Sequence, residues 1–268
     1  METKRKTFWK TAVCEIAPHR WALRGYDITK LMGRISYGTL VYLMLKGEMP
    51  QPKLGRLMDA ILISMADFGP WCPSVAAARY AASGGVDLPA AICAGLLSVG
   101  SAHGGTISGA MEVFYRGVAR ARQDGLTLEK VAQETVQDFK SRKAFIPGYG
   151  RPSELGETDP NGVVIARLDE LAKRAGAWGD YVRLSKAIES ALGRTGLNLD
   201  GASGAILCEM GFEPQVARAV FCISRIVGLA AEAHEELTRE KPFRQTPYSD
   251  VTYDGPVKEM PSEFREEI

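Results

Sequence analysis

The chain has 268 residues, 46% hydrophobic and 24% charged, which leaves room for one large globular domain or a large and a small one. A formal net charge of +1 gives no electrostatic case for nucleic acid or a membrane surface. Three widely spaced histidines and five scattered cysteines without a CxxC argue against a zinc site, and point to buried, reduced thiols in a cytoplasmic protein.

The opening METKRKTFWK is basic but lacks an apolar core of signal-peptide length, and no stretch reaches membrane-spanning length without a charge or glycine. Residues 8–16 and 21–24 predict a short hairpin around Pro18. Helix then follows helix. Residues 28–45 start at Asp27 or Thr29 and stop at Gly47, with Leu31, Ile35, Leu40, Tyr42 and Leu43 tracking one face. Further helices are expected over 54–66, 75–82 and 89–99, the last opening on a proline and carrying Ala91, Ala94 and Gly95 for close helix packing. Helices over 107–123 and 126–140 precede a break at 141–161, rich in glycine, proline and turn formers. Helical spacing resumes over 163–174, 181–192, 202–210 and 214–238, and the tail from Lys241 reads as either extended and packed on a neighbour, or loose. There is no strand–helix alternation, no GxGxxG and no repeat, so the fold class is all-α with a minor N-terminal β element.

Two glycine-flanked segments carry the chemistry. GSAHGGTISGAME (100–112) sets His103 beside Gly104 and Gly105 where a helix begins, so that a ligand can approach the bare backbone next to an imidazole. GLNLDGASG (196–204) holds Asp200 in a similar turn. A histidine and a carboxylate at two helix ends can move a proton on and off carbon. The structural alternative for Asp200 is an Asx turn or a cap before Ala202.

With these segments in this order, the chain resembles the citrate synthase superfamily from about Thr11 to Asp254, most of all its short lyase branch of citryl-CoA lyase and the C-terminal lyase domain of ATP-citrate lyase. The resemblance is carried by RGYDITKLMGRISYGTLVYLMLKGEMP (24–50), by MADFGPWCPSVAAARYAASGGVDLPAAICAGLLSVGSAHGG (65–105), by IPGYGRPSELGETDP (146–160) and by LNLDGASGAILCEMGFEPQVARAVFCISRIVG (197–228). It implies a large helical domain of 1–100 with 200–268, and a small coenzyme A-binding domain of 101–199. It also implies a homodimer or dimer of dimers, with an acyl-CoA and a small carboxylic acid as ligands and no permanently bound cofactor or metal. The implied activity is lysis of a hydroxy-acid coenzyme A thioester, citryl-CoA type, to acetyl-CoA and a 2-oxo acid. The alternatives are a condensing enzyme with an acceptor other than oxaloacetate, and a non-catalytic coenzyme A-binding paralogue.

The resemblance also distributes roles. Asp200 matches the base at the α-carbon, His103 the donor to the thioester oxygen, and Arg225 the arginine that grips a carboxylate with two parallel hydrogen bonds. Arg244 is a candidate for the arginine that reaches across a dimer. Ile146, Pro147, Gly148, Tyr149 and Gly150 would cradle coenzyme A, with Arg142, Lys143 and Arg151 near its phosphates. Two positions depart from the family: Phe68 stands where a histidine faces the keto acid, and Arg151 where another polarises its carbonyl. The acid pocket is therefore expected to differ from one built for oxaloacetate. A third position, often histidine after the arginine helix, reads as Glu232. His234 reads as a surface residue and His19 is given no role.

Overall fold

The computed structural model describes residues 8–150, 160–193, 195–261 and 264. Three short antiparallel strands open it, β1 (Cys14–Ala17), β2 (Arg20–Leu23) and β3 (Tyr26–Asp27), in the order β1-β2-β3. The expected hairpin is there, pairing Cys14 with Leu23 and Ala17 with Arg20, but residues 8–13 stay outside it. The third strand escapes sequence reading because it is two residues long, placed by a turn at Arg24 and Gly25 that both adopt positive φ. Arg24 then donates from Nε and Nη2 to the Met44 carbonyl at 3.1 and 2.7 Å, fastening the ribbon to the helical body.

Eleven α-helices follow among the described residues: α1 (Ile28–Leu31), α2 (Tyr37–Lys46), α3 (Pro52–Ser64), α4 (Pro73–Ser83), α5 (Leu88–Leu97), α6 (Thr106–Asp124), α7 (Leu128–Ser141), α8 (Asn161–Ala175), α9 (Asp180–Leu192), α10 (Leu199–Glu209) and α11 (Pro214–Arg239). The architecture is all-α with a small sheet, as the periodicity predicts. One expectation fails: 28–45 is two helices. Gly33 turns at φ +72°, and Ser36 restarts the chain by accepting the Thr39 N–H on its side chain, so the apolar spacing continues across a break. The tail is extended apart from a 3₁₀ turn at Tyr248–Asp250.

α11, at 26 residues about 39 Å long, packs on α3, α4, α5 and α6. Small residues let it approach closely: a Cβ on Gly95 would lie 2.8 Å from Leu229, and one on Gly228 would lie 2.2 Å from the Ala66 carbonyl. The main core, with Phe114, Phe212, Met58, Met111 and Leu184 fully buried, joins α2, α3 and α6 to α11. A smaller one of Val75, Ala78, Ala91, Leu229 and Ala233 joins α4, α5 and α11. The two cores seat three chain segments at one place: the α5–α6 loop, the start of α10 and the middle of α11.

Candidate active site

His103 sits in the α5–α6 loop, where Gly100 and His103 exchange backbone hydrogen bonds of 3.0 and 3.2 Å. The two glycines after it are fixed by packing as well as by access. Gly104 adopts φ +71° and a Cβ there would lie 2.5 Å from the Phe221 ring; a Cβ on Gly105 would lie 2.3 Å from the Gly100 carbonyl. The ring of His103 meets that of Phe221 edge-on at 5.7 Å.

Asp200 is not the cap of its helix. Asn198 takes that part, its side chain accepting the Gly201 N–H at 3.0 Å, so α10 starts three residues earlier than its apolar spacing indicates. This leaves the Asp200 carboxylate, in the first helical turn, free to face a cavity. Its Oδ2 accepts a short hydrogen bond from Thr106 Oγ1, at the start of α6. Burial pushes its carboxyl above the usual range, against the Thr106 bond and the Arg225 charge, which both pull it down. Replacing the cap, Asn198→Ala, is expected to cost about 1 kcal/mol, read as a lower Tm.

Arg225 is 3% exposed on the inner face of α11, one turn after Phe221, whose ring lies 4.9 Å from the guanidinium. Its Nε donates to the Met65 carbonyl at 3.0 Å, and Nη1 lies 3.2 Å from Cys72 Sγ and 3.3 Å from Ser74 Oγ. Ser74 Oγ is also 2.8 Å from His103 Nε2. A guanidinium only donates, so Ser74 Oγ accepts from Arg225, and its own hydrogen can turn to His103 Nε2 or to Cys72 Sγ, 3.6 Å away. Where it turns to Nε2, His103 is the neutral imidazole with its hydrogen on Nδ1. Burial, and then the Arg225 charge, push the His103 pKa down, which favours the same neutral form.

His103, Asp200, Arg225 and Phe68 therefore line one cavity of about 320 Å³, together with Met65, Thr106, Asn198 and Phe221. Phe68 stacks at 4.9 Å on Trp71 and makes that wall apolar. The loop 146–150 is clamped to the Asp200 turn: Gly148 O accepts from Asn198 N (3.0 Å), Gly150 N donates to Gly196 O (3.0 Å), and Tyr149 Oη donates to Ser185 O (2.8 Å). Tyr149 and Gly150 reach the first cavity. Ile146, Pro147, Gly148 and Tyr149 line a second, of about 350 Å³, which shares Thr106 and Tyr149 with the first.

Other expected site residues lie elsewhere. Arg142 pairs with Asp138 and lies 4.5 Å over the Phe139 ring, in a groove between α6 and α7. Lys143 is exposed, at φ +52°, and lines neither cavity. Arg244 forms a two-pronged pair with buried Glu236 at 2.7 Å on each arm, in a cluster where Arg79 also meets Glu236 and Glu232. Within its own chain it lies away from His103, on the wall of a separate cavity. Glu232 is thus tied to Arg79, and His234 is exposed. Arg151 lies outside the described residues.

Sequence reading missed Ser74, Thr106, Asn198 and Phe145. Asn198 had a signal, an Asn three residues before the glycine whose N–H it accepts. Phe145 is 95% exposed beside the second cavity, and its place before IPGYG was visible. Ser74 and Thr106 had none, since each is defined by a partner 29 or 94 residues away.

A family profile described as "Citrate synthase, C-terminal domain" matches residues 49–246. Glyoxysomal citrate synthase of Cucurbita maxima is 29% identical over 196 residues, which are 70% of this chain and 36% of that protein. The chain thus spans little more than a third of that relative's length. The structure of citryl-CoA lyase from Hydrogenobacter thermophilus superposes with a TM-score of 0.84 at 35% identity, over 97% of this chain and 100% of that one. ATP citrate lyase from Methanothrix soehngenii, solved with citrate and coenzyme A, superposes with a TM-score of 0.80 at 21% identity, over 96% of this chain and 43% of that one, a likeness of fold.

Proposed function

The chain belongs to the citrate synthase family, and from that premise we propose that it is a carbon–carbon lyase that cleaves a hydroxy-acid coenzyme A thioester, of citryl-CoA type, to acetyl-CoA and a 2-oxo acid. The observation that carries this reading is the meeting of His103, Asp200 and Arg225 in one cavity from three separate parts of the chain. Likeness over the whole length of citryl-CoA lyase from Hydrogenobacter thermophilus supports it.

In the cleavage direction the hydroxyl on the neighbouring carbon gives its proton to solvent and becomes the carbonyl of the 2-oxo acid, while the bond from that carbon to the α-carbon breaks and its electron pair becomes the thioester enolate. The Nδ1–H of neutral His103 hydrogen-bonds the enolate oxygen, and the Asp200 carboxyl delivers a proton to the α-carbon to give acetyl-CoA. Its raised pKa suits it to hold that proton. Condensation runs the same groups backwards, with the Asp200 carboxylate as base. Arg225 holds a carboxylate of the acid half, with Nε and Nη1 already engaged by the protein so that the planar group cannot swing. Arg151, following Gly150, is assigned to the acid's carbonyl oxygen. The small domain, 101–199, carries the coenzyme A cradle at 146–150, and 1–100 with 200–268 makes the large one.

Phe68 favours a variant of this reading, in which the chemistry is kept and the acid has less polar bulk than oxaloacetate. A carboxylate buried against Phe68 and Met65 would lose hydration without an ionic partner from that wall. The protein is assigned to the cytoplasm as a homodimer or dimer of dimers. All five cysteines are free, and among the described residues no helix is long and apolar enough to cross a membrane. Exposed Leu97, Tyr248, Tyr253 and Val257 offer apolar surface for a second copy.

The test is a cleavage panel of hydroxyacyl-CoA thioesters, with citryl-CoA and its less polar analogues side by side. Release of acetyl-CoA from at least one is expected. Coenzyme A alone should raise Tm by mass action. A chain that cleaves none of them and shows no exchange of the acetyl-CoA methyl protons with solvent is not this enzyme.

A further inference from the structure

We infer that Thr106 is a positioning residue for Asp200, holding one carboxylate oxygen so that the other alone faces the α-carbon. The inference rests on the reading of Asp200 as the carbon base. Thr106 opens α6 immediately after the His103 loop, and its Oγ1 donates to Asp200 Oδ2. Its side chain stands where the two cavities meet. Asn198 caps α10, so the helix makes no demand on the Asp200 side chain, and the hydrogen bond from Thr106 fixes its rotation.

The contact is rigid on both sides. α6 and α10 pack closely, with Gly204 of α10 held 3.2 Å, by the position of a Cβ, from the Ile107 carbonyl of α6. The base and the imidazole donor are thus both tied to one short segment, 103–106, which carries His103 and the Thr106 hydroxyl.

Thr106 also sets the charge state. A donated hydrogen bond favours the carboxylate and offsets the burial that disfavours it. The other charged or titratable groups facing Asp200 are Arg225 from α11, His103 from the α5–α6 loop and Tyr149 from the loop 146–150. Arg225 also favours the carboxylate; neutral His103 adds no charge. Tyr149, its pKa raised well above the usual value by burial, stays a neutral phenol and donates away to Ser185. Removing the Thr106 hydroxyl therefore leaves burial opposed by Arg225 alone, and the Asp200 pKa rises.

The experiment is solvent exchange of the acetyl-CoA methyl protons across pH in wild type, Thr106→Val, Thr106→Ser and Asp200→Asn, with Tm recorded for each. Exchange needs ionised Asp200, so its rate rises with pH through the Asp200 pKa. Thr106→Val is expected to move that acid limb to higher pH by about one unit, and to lower the plateau about tenfold or more; Thr106→Ser should restore the limb. A folded Thr106→Val with an unmoved limb overturns the inference, as does a serine variant that behaves like valine. Asp200→Asn exchanging at the wild-type rate overturns the assignment of the base itself, a failure told apart from the first because it leaves the Thr106 variants irrelevant to rate.

Discussion

Asp200→Asn is expected to lower both acetyl-CoA methyl exchange and thioester cleavage by about 10²- to 10⁴-fold, the range for removing a positioned acid–base group. The substitution keeps shape and one oxygen for the Thr106 hydroxyl, but removes the group that takes and returns the proton. Stability should not fall. Burial already disfavours the Asp200 charge, so a neutral amide in the same place escapes that penalty, and Tm is expected at or above the wild-type value. The pairing of lost rate with unchanged Tm is what distinguishes a chemical role from a packing one. A variant that unfolds at lower temperature and keeps its rate when folded would mean that the carboxylate serves the structure.

Gly148→Ala is expected to damage fold and site together. Gly148 adopts φ +85°, and a Cβ there would stand 2.7 Å from the Gly201 Cα and 2.8 Å from the Ala110 Cβ. Neither neighbour is the end of a flexible side chain: one is backbone, the other a helical methyl. Left-handed strain and overpacking together are worth about 3 kcal/mol, a fall in Tm of about 6–12 °C for a domain of this size. The displacement would fall on Gly201, next to Asp200, so exchange should fall beyond what the unfolded fraction explains. A Tm within about 2 °C of wild type would show that the 146–150 loop is not seated on α10 in this way.

Helix positions were legible because burial of one face imposes a period that any sequence must show, and Pro73, Pro89 and Pro214 mark first turns directly. The break at 32–36 was hidden because α1 and α2 keep compatible apolar spacing across it. The site was half legible. His103, Asp200 and Arg225 stand in motifs with glycine or helical context, and the fold gathers all three. The residues that orient them were silent: Ser74 is one small hydroxyl in an alanine-rich helix, and Thr106 one among the polar residues of a glycine-rich turn. Arg142 and Arg244 show the reverse case. Their charge invited a role toward an anionic ligand, and within this single chain they pair with Asp138 and Glu236.

The sequence by itself determined the all-helical class, the glycine turns that let the chain pass close to Phe221 and Gly201, and the three residue types that proton transfer and carboxylate binding require. Only the tertiary structure decided which oxygen of Asp200 is held, which nitrogen of His103 is bonded and which arginine faces the cavity. The physical reason is range. Periodicity and turn chemistry act over a few residues and are written in order along the chain. Orientation is set by single hydrogen bonds between residues 29 to 160 positions apart, and these exist only once the helices have packed.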